Sequence, residues 1–388
     1  MKILHTSDWH LGHQLYGYDR SEEHGAMIDQ MVEIVSAEKP DVFLLCGDVF
    51  DVSQPSAAVQ KFMVGSLVRL QQACPDMVMV ITAGNHDSGS RHEVFRIPWK
   101  VLGVEMIGTL TPEFIDGHII EIPGKGFVVA LPYANERYIP KGFMQKVLDE
   151  VESRNAQGLP VVMTAHTTVR GADYSGHDNV VEHVVGGLEG VDLKDMGEGY
   201  DYLALGHIHH GQFVHSGSHN VRYSGSPVAV SFDENYTHSV SIVELETHGK
   251  APVVKTVEIR NPRPLVSLPL EGEKEWKEAL RLLEDYPPDV SAYIRLNVVS
   301  DGFLPPGASE QAFHATKGKE CRFCTINHRL RNPGRSDNKA LTVQEFKATP
   351  PLEIAKRFIE GEGGEFSETM KGLFEEVLLM IEDEDREN

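Results

Sequence analysis

Short apolar runs alternate with helical patterns through the first two thirds of the chain. Ile3–Thr6, Val42–Cys46, Met77–Thr82, Val161–Ala165 and Tyr202–Leu205 are brief, rich in Val, Ile, Leu and aromatic residues, and closed by polar residues. That pattern predicts buried β-strands. Glu22–Glu38 and Ser56–Gln72 instead carry apolar positions at helical spacing. Two further β-rich runs follow Tyr202, at Val221–Pro227 and Ser239–Leu245, and suggest a second sheet. The expected fold class is α/β: a layered β-sandwich flanked by helices, spanning residues 1–262.

Asn261-Pro-Arg-Pro264 interrupts this rhythm, because two prolines in three positions disfavour helix and remove ladder donors. A small α+β capping domain is expected over 263–341, with a helix near Glu273–Glu284, a strand at Tyr293–Val298 and a turn at Leu304–Gly307. From Thr342 to the end, residues 342–388 read as C-terminal helices. Phe366, Met370, Leu373, Phe374, Val377, Leu378 and Ile381 recur at helical spacing, with Ser367 placed to cap the start. That stripe is too wide for an isolated exposed helix, so it either folds back on its own core or docks on a partner.

Composition narrows the class. Hydrophobic residues make up 41% and charged residues 24% of 388, as in ordinary globular chains. No run approaches the roughly 18 apolar residues of a membrane span, and the N-terminus lacks the apolar stretch of a signal peptide. With only four cysteines, the expected location is a reducing cytoplasm. The net charge of −22 disfavours an extended nucleic-acid surface. The charge is uneven, however: Lys317, Lys319, Arg322, Arg329, Arg331, Arg335 and Lys339 form a basic segment, whereas the tail is strongly acidic.

The candidate chemistry lies where the apolar runs stop. Asp8-Trp9-His10, Gly47-Asp48-Val49-Phe50-Asp51, Gly84-Asn85-His86-Asp87, His166 and Gly206-His207-Ile208-His209 follow the five strands in order. Strand ends at the carboxyl edge of an α/β sheet are where sites form. The set combines carboxylates, an amide oxygen and imidazoles, with no cysteine. It suits two divalent ions of the manganese or iron type better than a structural zinc. Cys321-Arg-Phe-Cys324 with nearby His328 resembles half a zinc site, but no second such pair exists.

These motifs, with Lys2–Gly12, Gly47–Asp51, Ala83–Ser88 and Tyr202–His209 as their extended forms, resemble the SbcD family of calcineurin-like two-metal phosphoesterases. Tyr293–Leu296 and Pro350–Ile354 continue the resemblance more loosely. By that resemblance, one ion takes Asp8, His10, Asp48 and His209, and the other takes Asp48, Asn85, His166 and His207. Two divalent ions about 4 Å apart repel by roughly 17 kcal/mol at an effective dielectric of about 20, so a bridging anion such as Asp48 is needed. His86 is the candidate catalytic residue that protonates the leaving oxygen, and Asp87 the residue orienting its imidazole.

The resemblance implies two divalent cations, manganese foremost, with magnesium or iron(II) as alternatives. It also implies DNA as substrate, at duplex ends and hairpins, cleaved by 3′-to-5′ exonuclease and endonuclease action in DNA repair, recombination and replication. A coiled-coil ATPase of the SbcC type is the implied partner, in a heterotetramer around a homodimer. The dimer would form through helices at Ser56–Gln72 and Arg91–Val101, with Val59, Phe62, Met63, Val68 and Trp99 as compatible apolar positions. A small-molecule phosphodiesterase, acting on cyclic nucleotides for example, is the alternative. A protein phosphatase fits less well, because Asp51 is followed by Val52-Ser53 where that class has a phosphate-gripping arginine.

Overall fold

The computed structural model describes residues 1–135, 138–175, 190–215, 218–331, 349–361 and 366–374. Two compact units divide the chain, Met1–Leu265 and Val266–Asn388.

In the first unit, two six-stranded sheets lie face to face. The first, in spatial order, is Val253–Glu258, Ser239–Glu244, Lys2–Thr6, Val42–Cys46, Val78–Thr82 and Val104–Ile107. The second is Gln212–Phe213, Val221–Tyr223, Tyr202–Gly206, Val161–His166, Gly126–Ala130 and Ile119–Ile122. Ile3, Val42, Leu44 and Val80 of the first sheet pack against Val128, Ala130, Val162 and Ala204 of the second. Leu4, Phe43, Leu45, Met79 and Ile81 point the other way, toward helices Ser21–Glu38 and Ala57–Ala73. Every residue of Val42–Cys46 and Tyr202–Gly206 is buried. Strands covered on both faces need continuous apolar runs instead of alternation, which is how these runs appear in the sequence.

The helices cover the sandwich through regular apolar stripes. Ser21–Glu38 buries Met27, Ile28, Met31 and Val35 and ends at Lys39 in the left-handed conformation, φ 47°. Ala57–Ala73 starts at Ser56, whose hydroxyl accepts from Val59 N at 3.3 Å. Phe143–Arg154 covers the second sheet through Phe143, Val147, Leu148 and Val151. This helix and the hairpin Ile119–Ile122/Gly126–Ala130 are not among the elements expected from the sequence; the hairpin's runs are short and separated by Pro123 and Gly124.

The topology fixes the site's location. Lys2–Thr6 pairs in parallel with Val42–Cys46, which pairs in parallel with Val78–Thr82. In the other sheet, Tyr202–Gly206 runs parallel to Val161–His166. All five motif-bearing strands therefore carry their motifs at carboxyl ends.

The second unit has a three-stranded sheet, Leu265–Leu268, Tyr293–Ser300 and Arg322–Leu330, with helices Trp276–Glu284 and Ala308–Ala315. Trp276, Ala279, Leu283, Ile294, Leu296 and Phe323 build its core. Two cations of the basic segment, Arg322 and Arg329, lie on this third strand, and most of its described cations have partners within the unit. Arg329 forks onto Glu273, Arg331 pairs with Glu275 and Asp301, and Lys319 donates to the carbonyls of Leu283, Glu284 and Tyr286 at a helix end. Arg335 and Lys339 lie outside the described residues. Cys321 is buried in the core and His328 bonds Ser300 Oγ at 2.7 Å, so the half zinc motif is not assembled among the described residues.

Helix Pro351–Gly361 follows, and residues 368–374 are helical, with Ser367 Oγ accepting from Met370 N at 3.3 Å. Val377, Leu378 and Ile381 lie outside the described residues. No helix of the described residues is long and apolar enough to cross a membrane.

Because the inter-sheet layer leaves no room to relax, Leu44→Ala is expected to cost about 2–5 kcal/mol. Val68→Ala, on an exposed helix position, should stay within about 0.5 kcal/mol of wild type. Urea denaturation of both variants measures the contrast, and equal losses would refute the layered core.

Candidate metal centre

The loops leaving three of the five strands are held in conformations that ordinary residues avoid. Asp8 (φ 53°), His10 (φ 44°), Asp48 (φ 50°) and His207 (φ 96°) all have positive φ. Such strain persists only where the surroundings over-determine it, and it concentrates at functional sites. Here the restraint is a continued backbone ladder. Asp8 N donates to Gly47 O at 3.0 Å, His10 N to Asp48 O at 3.1 Å, and Leu11 N to Val49 O at 3.0 Å. The first two loops therefore stay zipped beyond the ends of their strands.

Glycines make the approach of the sheets possible. A Cβ on Gly47 would overlap the His166 imidazole, one on Gly84 would overlap Asp48, and one on Gly206 would overlap the Cys46 carbonyl. Gly47 also needs its φ of 84°.

Lone pairs converge at the centre of the cluster. His166 Nδ1 donates to Cys46 O at 2.8 Å, which leaves Nε2 as an acceptor. That Nε2 lies 3.0 Å from Asn85 Oδ1 and 3.3 Å from Asp48 Oδ2, two further acceptors. His207 Nδ1 approaches the same Asn85 oxygen at 2.9 Å. On the other side, His10 Nε2 and His209 Nε2 face each other at 3.2 Å. His209 Nδ1 is taken by Glu234 Oε1 at 3.0 Å, and His10 Nδ1 lies 3.5 Å from Asp51 Oδ1. Acceptors aimed at acceptors in a buried site require cations between them. Three groups of donor atoms fall within 4.8 Å of one another: Asp8, His10 and His209; His10, Asp48 and His86; and Asp8, Asp48 and His166. Carboxylate oxygens and imidazoles, each imidazole steadied through its other nitrogen, are the donor set of divalent cations.

Protonation follows the same logic. Burial pushes Asp8 upward. Asp48 sits well below the usual carboxylate range, because the charges of His166 and His10 and a hydrogen bond to His166 outweigh its burial. His10 and His166 are each pushed up to about 9, burial notwithstanding, by the carboxylates around them. Burial raises Glu234 to about 8. The same charge distribution that calls for metal therefore draws protons when metal is withheld.

All seven expected ligands, Asp8, His10, Asp48, Asn85, His166, His207 and His209, meet at this edge. Asp8, His10, Asp48, His166 and His209 are buried, whereas Asn85 and His86 are exposed. Asp87 is a correction. Its carboxylate accepts from Val49 N, Phe50 N and Gly84 N at 2.9–3.1 Å and does not touch the His86 imidazole. Next to three amides, a buried carboxylate ties two loops together instead of turning outward. The partner of His86 is the Asp51 carbonyl, which accepts from Nδ1 at 2.8 Å. Glu234 escapes sequence reasoning entirely, since it lies 25 residues beyond His209 in a loop without a motif.

Glu234→Gln should weaken divalent-ion binding about 10- to 100-fold by calorimetry while the fold persists. Unchanged affinity would remove Glu234 from the site. Stability should also depend on pH in a definite direction. In chelator, His10 and His166 bind protons in the folded state up to about 9, against about 6.5 when unfolded. Their contribution is complete below pH 6.5 and is lost as pH rises to 9. Glu234, raised to about 8, acts in the same sense. The melting temperature of the metal-free protein should fall across pH 6.5–9, and saturating divalent metal should remove the fall by displacing those protons.

Comparison with known proteins agrees with the geometry. A family model described as calcineurin-like phosphoesterase matches residues 1–211. The chain is similar to the SbcD subunit of the SbcCD nuclease of Bacillus subtilis, 30% identical over 99% of this chain and 100% of that one. It is likewise similar to the SbcD subunits from Rhodobacter capsulatus, 31% identical over 73% of this chain and 75% of that one, and from Escherichia coli K12, 30% identical over 69% and 70%. A buried set of carboxylates and imidazoles that calls for divalent metal, on this sandwich and with these relatives, means that the chain belongs to the calcineurin-like phosphoesterases, in their SbcD branch, as an enzyme of the phosphodiesterase/nuclease class.

Proposed function

We propose that the chain is the nuclease subunit of an SbcC–SbcD-type assembly, hydrolysing DNA phosphodiesters as a 3′-to-5′ exonuclease and as an endonuclease at hairpins and blocked ends, in DNA repair, recombination and replication. The observation that carries DNA over a cyclic nucleotide is the extent of the similarity. It runs through the small unit and the tail of a nuclease subunit, at 99% coverage, and not through the phosphoesterase unit alone.

Asp8, His10, Asp48 and His209 would hold one ion, and Asp48, Asn85, His166 and His207 the other, with Asp48 shared. When bound, the ions offset the charge of the phosphate and acidify water at neutral pH. Manganese suits the oxygen and imidazole donors, which include no thiolate.

The remaining chemistry belongs to the chain. His86 is exposed, and its ring stands edge-on to that of His10 with centroids 4.9 Å apart. The Asp51 carbonyl holds the proton on Nδ1, so Nε2 is the nitrogen free to pass a proton to the leaving oxygen. The Asp48 side chain fixes this loop, since Oδ1 accepts from His86 N at 2.9 Å. Asp87 secures it from beneath through three amides.

Assembly is part of the same proposal. Val64, Val68, Val94, Phe95, Ile97 and Val101 are exposed on or just after the helices Ala57–Ala73 and Gly89–Lys100, and they support a homodimer through this face. Met63 and Trp99, which the sequence also offers for that role, are buried in the protein's own core. Met370, Leu373 and Phe374 are exposed along residues 368–374 and support docking of an SbcC-type ATPase in a cytoplasmic heterotetramer.

His86→Ala should lower turnover by about 100- to 10,000-fold and leave the metal content unchanged, as expected for loss of a positioned acid. Wild type and variant should be assayed with manganese on duplex DNA, hairpin DNA and a cyclic nucleotide. Turnover of the cyclic nucleotide alone would overturn the nuclease reading. Full DNA cleavage by His86→Ala would overturn the role of that residue.

A further inference from the structure

A cavity of about 370 Å³ opens beside Asn85, lined by Ala83, Gly84, Ser90, Gly108, Tyr133 and Tyr138 among others. Its size falls within the range of about 300–1,000 Å³ typical of small-ligand sites. Tyr133 is 41% and Tyr138 80% exposed, and both line the cavity. Tyr133 is not loosely attached, because its amide donates to Ala83 O at 2.7 Å, next to the ligand loop. Its ring stands edge-on to that of His166, with centroids 6.3 Å apart. The Tyr138 amide donates to Asn135 O at 2.8 Å, and Tyr138 lines the same cavity.

Small residues make up part of the lining. Gly89 and Gly108 approach so closely that a Cβ on either would overlap the other's carbonyl oxygen. Among the described lining residues the single charged side chain is Asp87, whose carboxylate is already engaged by three backbone amides. Among the described residues the rest of the lining is uncharged and includes two aromatic rings. It offers ring faces and a few polar groups (Asn135, Thr109, Ser90) to a planar heterocycle.

We propose that Tyr133 and Tyr138 form a nucleobase-stacking pocket that holds the nucleoside remaining on the phosphoryl group after cleavage. This rests on the phosphodiester-cleaving reading above and adds a determinant of substrate choice to it. The assignment to that nucleoside follows from position. The proton donor His86 groups with His10 and Asp48, whereas the cavity opens on the Asn85 and His166 side. The leaving oxygen and the pocket therefore lie on different flanks of the metal cluster. A base can enter such a pocket only when unstacked, so the pocket favours frayed ends, hairpin loops and single strands over intact duplex interiors.

The test uses oligonucleotides with an abasic tetrahydrofuran residue on one side or the other of the cleaved bond, product analysis showing which side keeps the phosphate. Removing the base on the phosphate-retaining side should lower wild-type kcat/KM by about 5- to 150-fold, the effect of losing one stacked base. Removing it on the other side should have little effect. The double variant Tyr133→Ala/Tyr138→Ala should cleave base-containing and abasic substrates alike, while Tyr133→Phe/Tyr138→Phe should keep the wild-type difference. Both rings are exposed, so the variants should melt at the wild-type temperature with normal metal content.

Binding of a 2-aminopurine dinucleotide, read as fluorescence quenching, should be lost in the alanine pair and kept in the phenylalanine pair. An alanine pair that retains the wild-type dependence on the base, or a wild type with no such dependence, overturns the pocket. If wild type turns over only cyclic nucleotides, the nuclease reading fails, and the aminopurine measurement still decides whether the tyrosines stack a base.

Discussion

Buried acceptors aimed at one another dominate this structure. His166 Nε2 lies 3.3 Å from Asp48 Oδ2 and 3.0 Å from Asn85 Oδ1 at the exposed rim, and two imidazole Nε2 atoms face each other across 3.2 Å. Without positive charge between them, such an arrangement costs several kcal/mol. Much of the first unit serves to hold it together. Four ligand residues stand at positive φ, three glycines clear space for the approach, and the second nitrogens of the imidazoles are taken up by Cys46 O and Glu234 or lie near Asp51. The same strain that sets acceptor against acceptor prepares the site for cations, since ordering the ligands costs nothing further on binding.

The rigidity comes from the layer between the sheets. Ile3, Leu44 and Val80 of one sheet interlock with Val128, Val162 and Ala204 of the other, so the two sets of strand ends cannot drift apart. Contacts across the layer join the cluster from both sides. His207 N reaches Asp8, and His166 Nδ1 reaches Cys46 O, each bond linking one sheet to the other. The exposed features lie around this rigid centre: His86 at its mouth, two tyrosines on one flank, and an apolar helix face on the outer layer. That distribution suits an enzyme whose chemistry is fixed while its substrate and partners meet the surface.

The charge balance is also clearer in three dimensions. A net charge of −22 argues against an extended phosphate-binding surface, and the basic segment does not reverse this, because Arg329, Arg331 and Lys319 are engaged within the small unit.

The linear chain determined the strands and the polar residues that follow them, for a local reason. A strand buried on both faces must be apolar throughout, and the polar residue that ends it is conspicuous, so Asp8, Asp48, Asn85, His166 and His207 could be read off with the sheet edge they share. Helices with regular stripes, such as Ser21–Glu38, were legible for the same reason, and the strand Arg322–Leu330 was not, because a register shift opposite Ile294 and Arg295 breaks its alternation. What only the folded chain decided is which group faces which. Asp87 adjoins His86 in sequence yet turns beneath the loops to three amides, because a buried carboxylate goes where donors are most concentrated. Glu234 has no motif and still supports His209, and Asp51 orients His86 through a backbone oxygen that no side-chain pattern encodes. Periodicity records burial, which depends on neighbours along the chain; the pairing of polar atoms depends on distances between segments that the sequence leaves far apart.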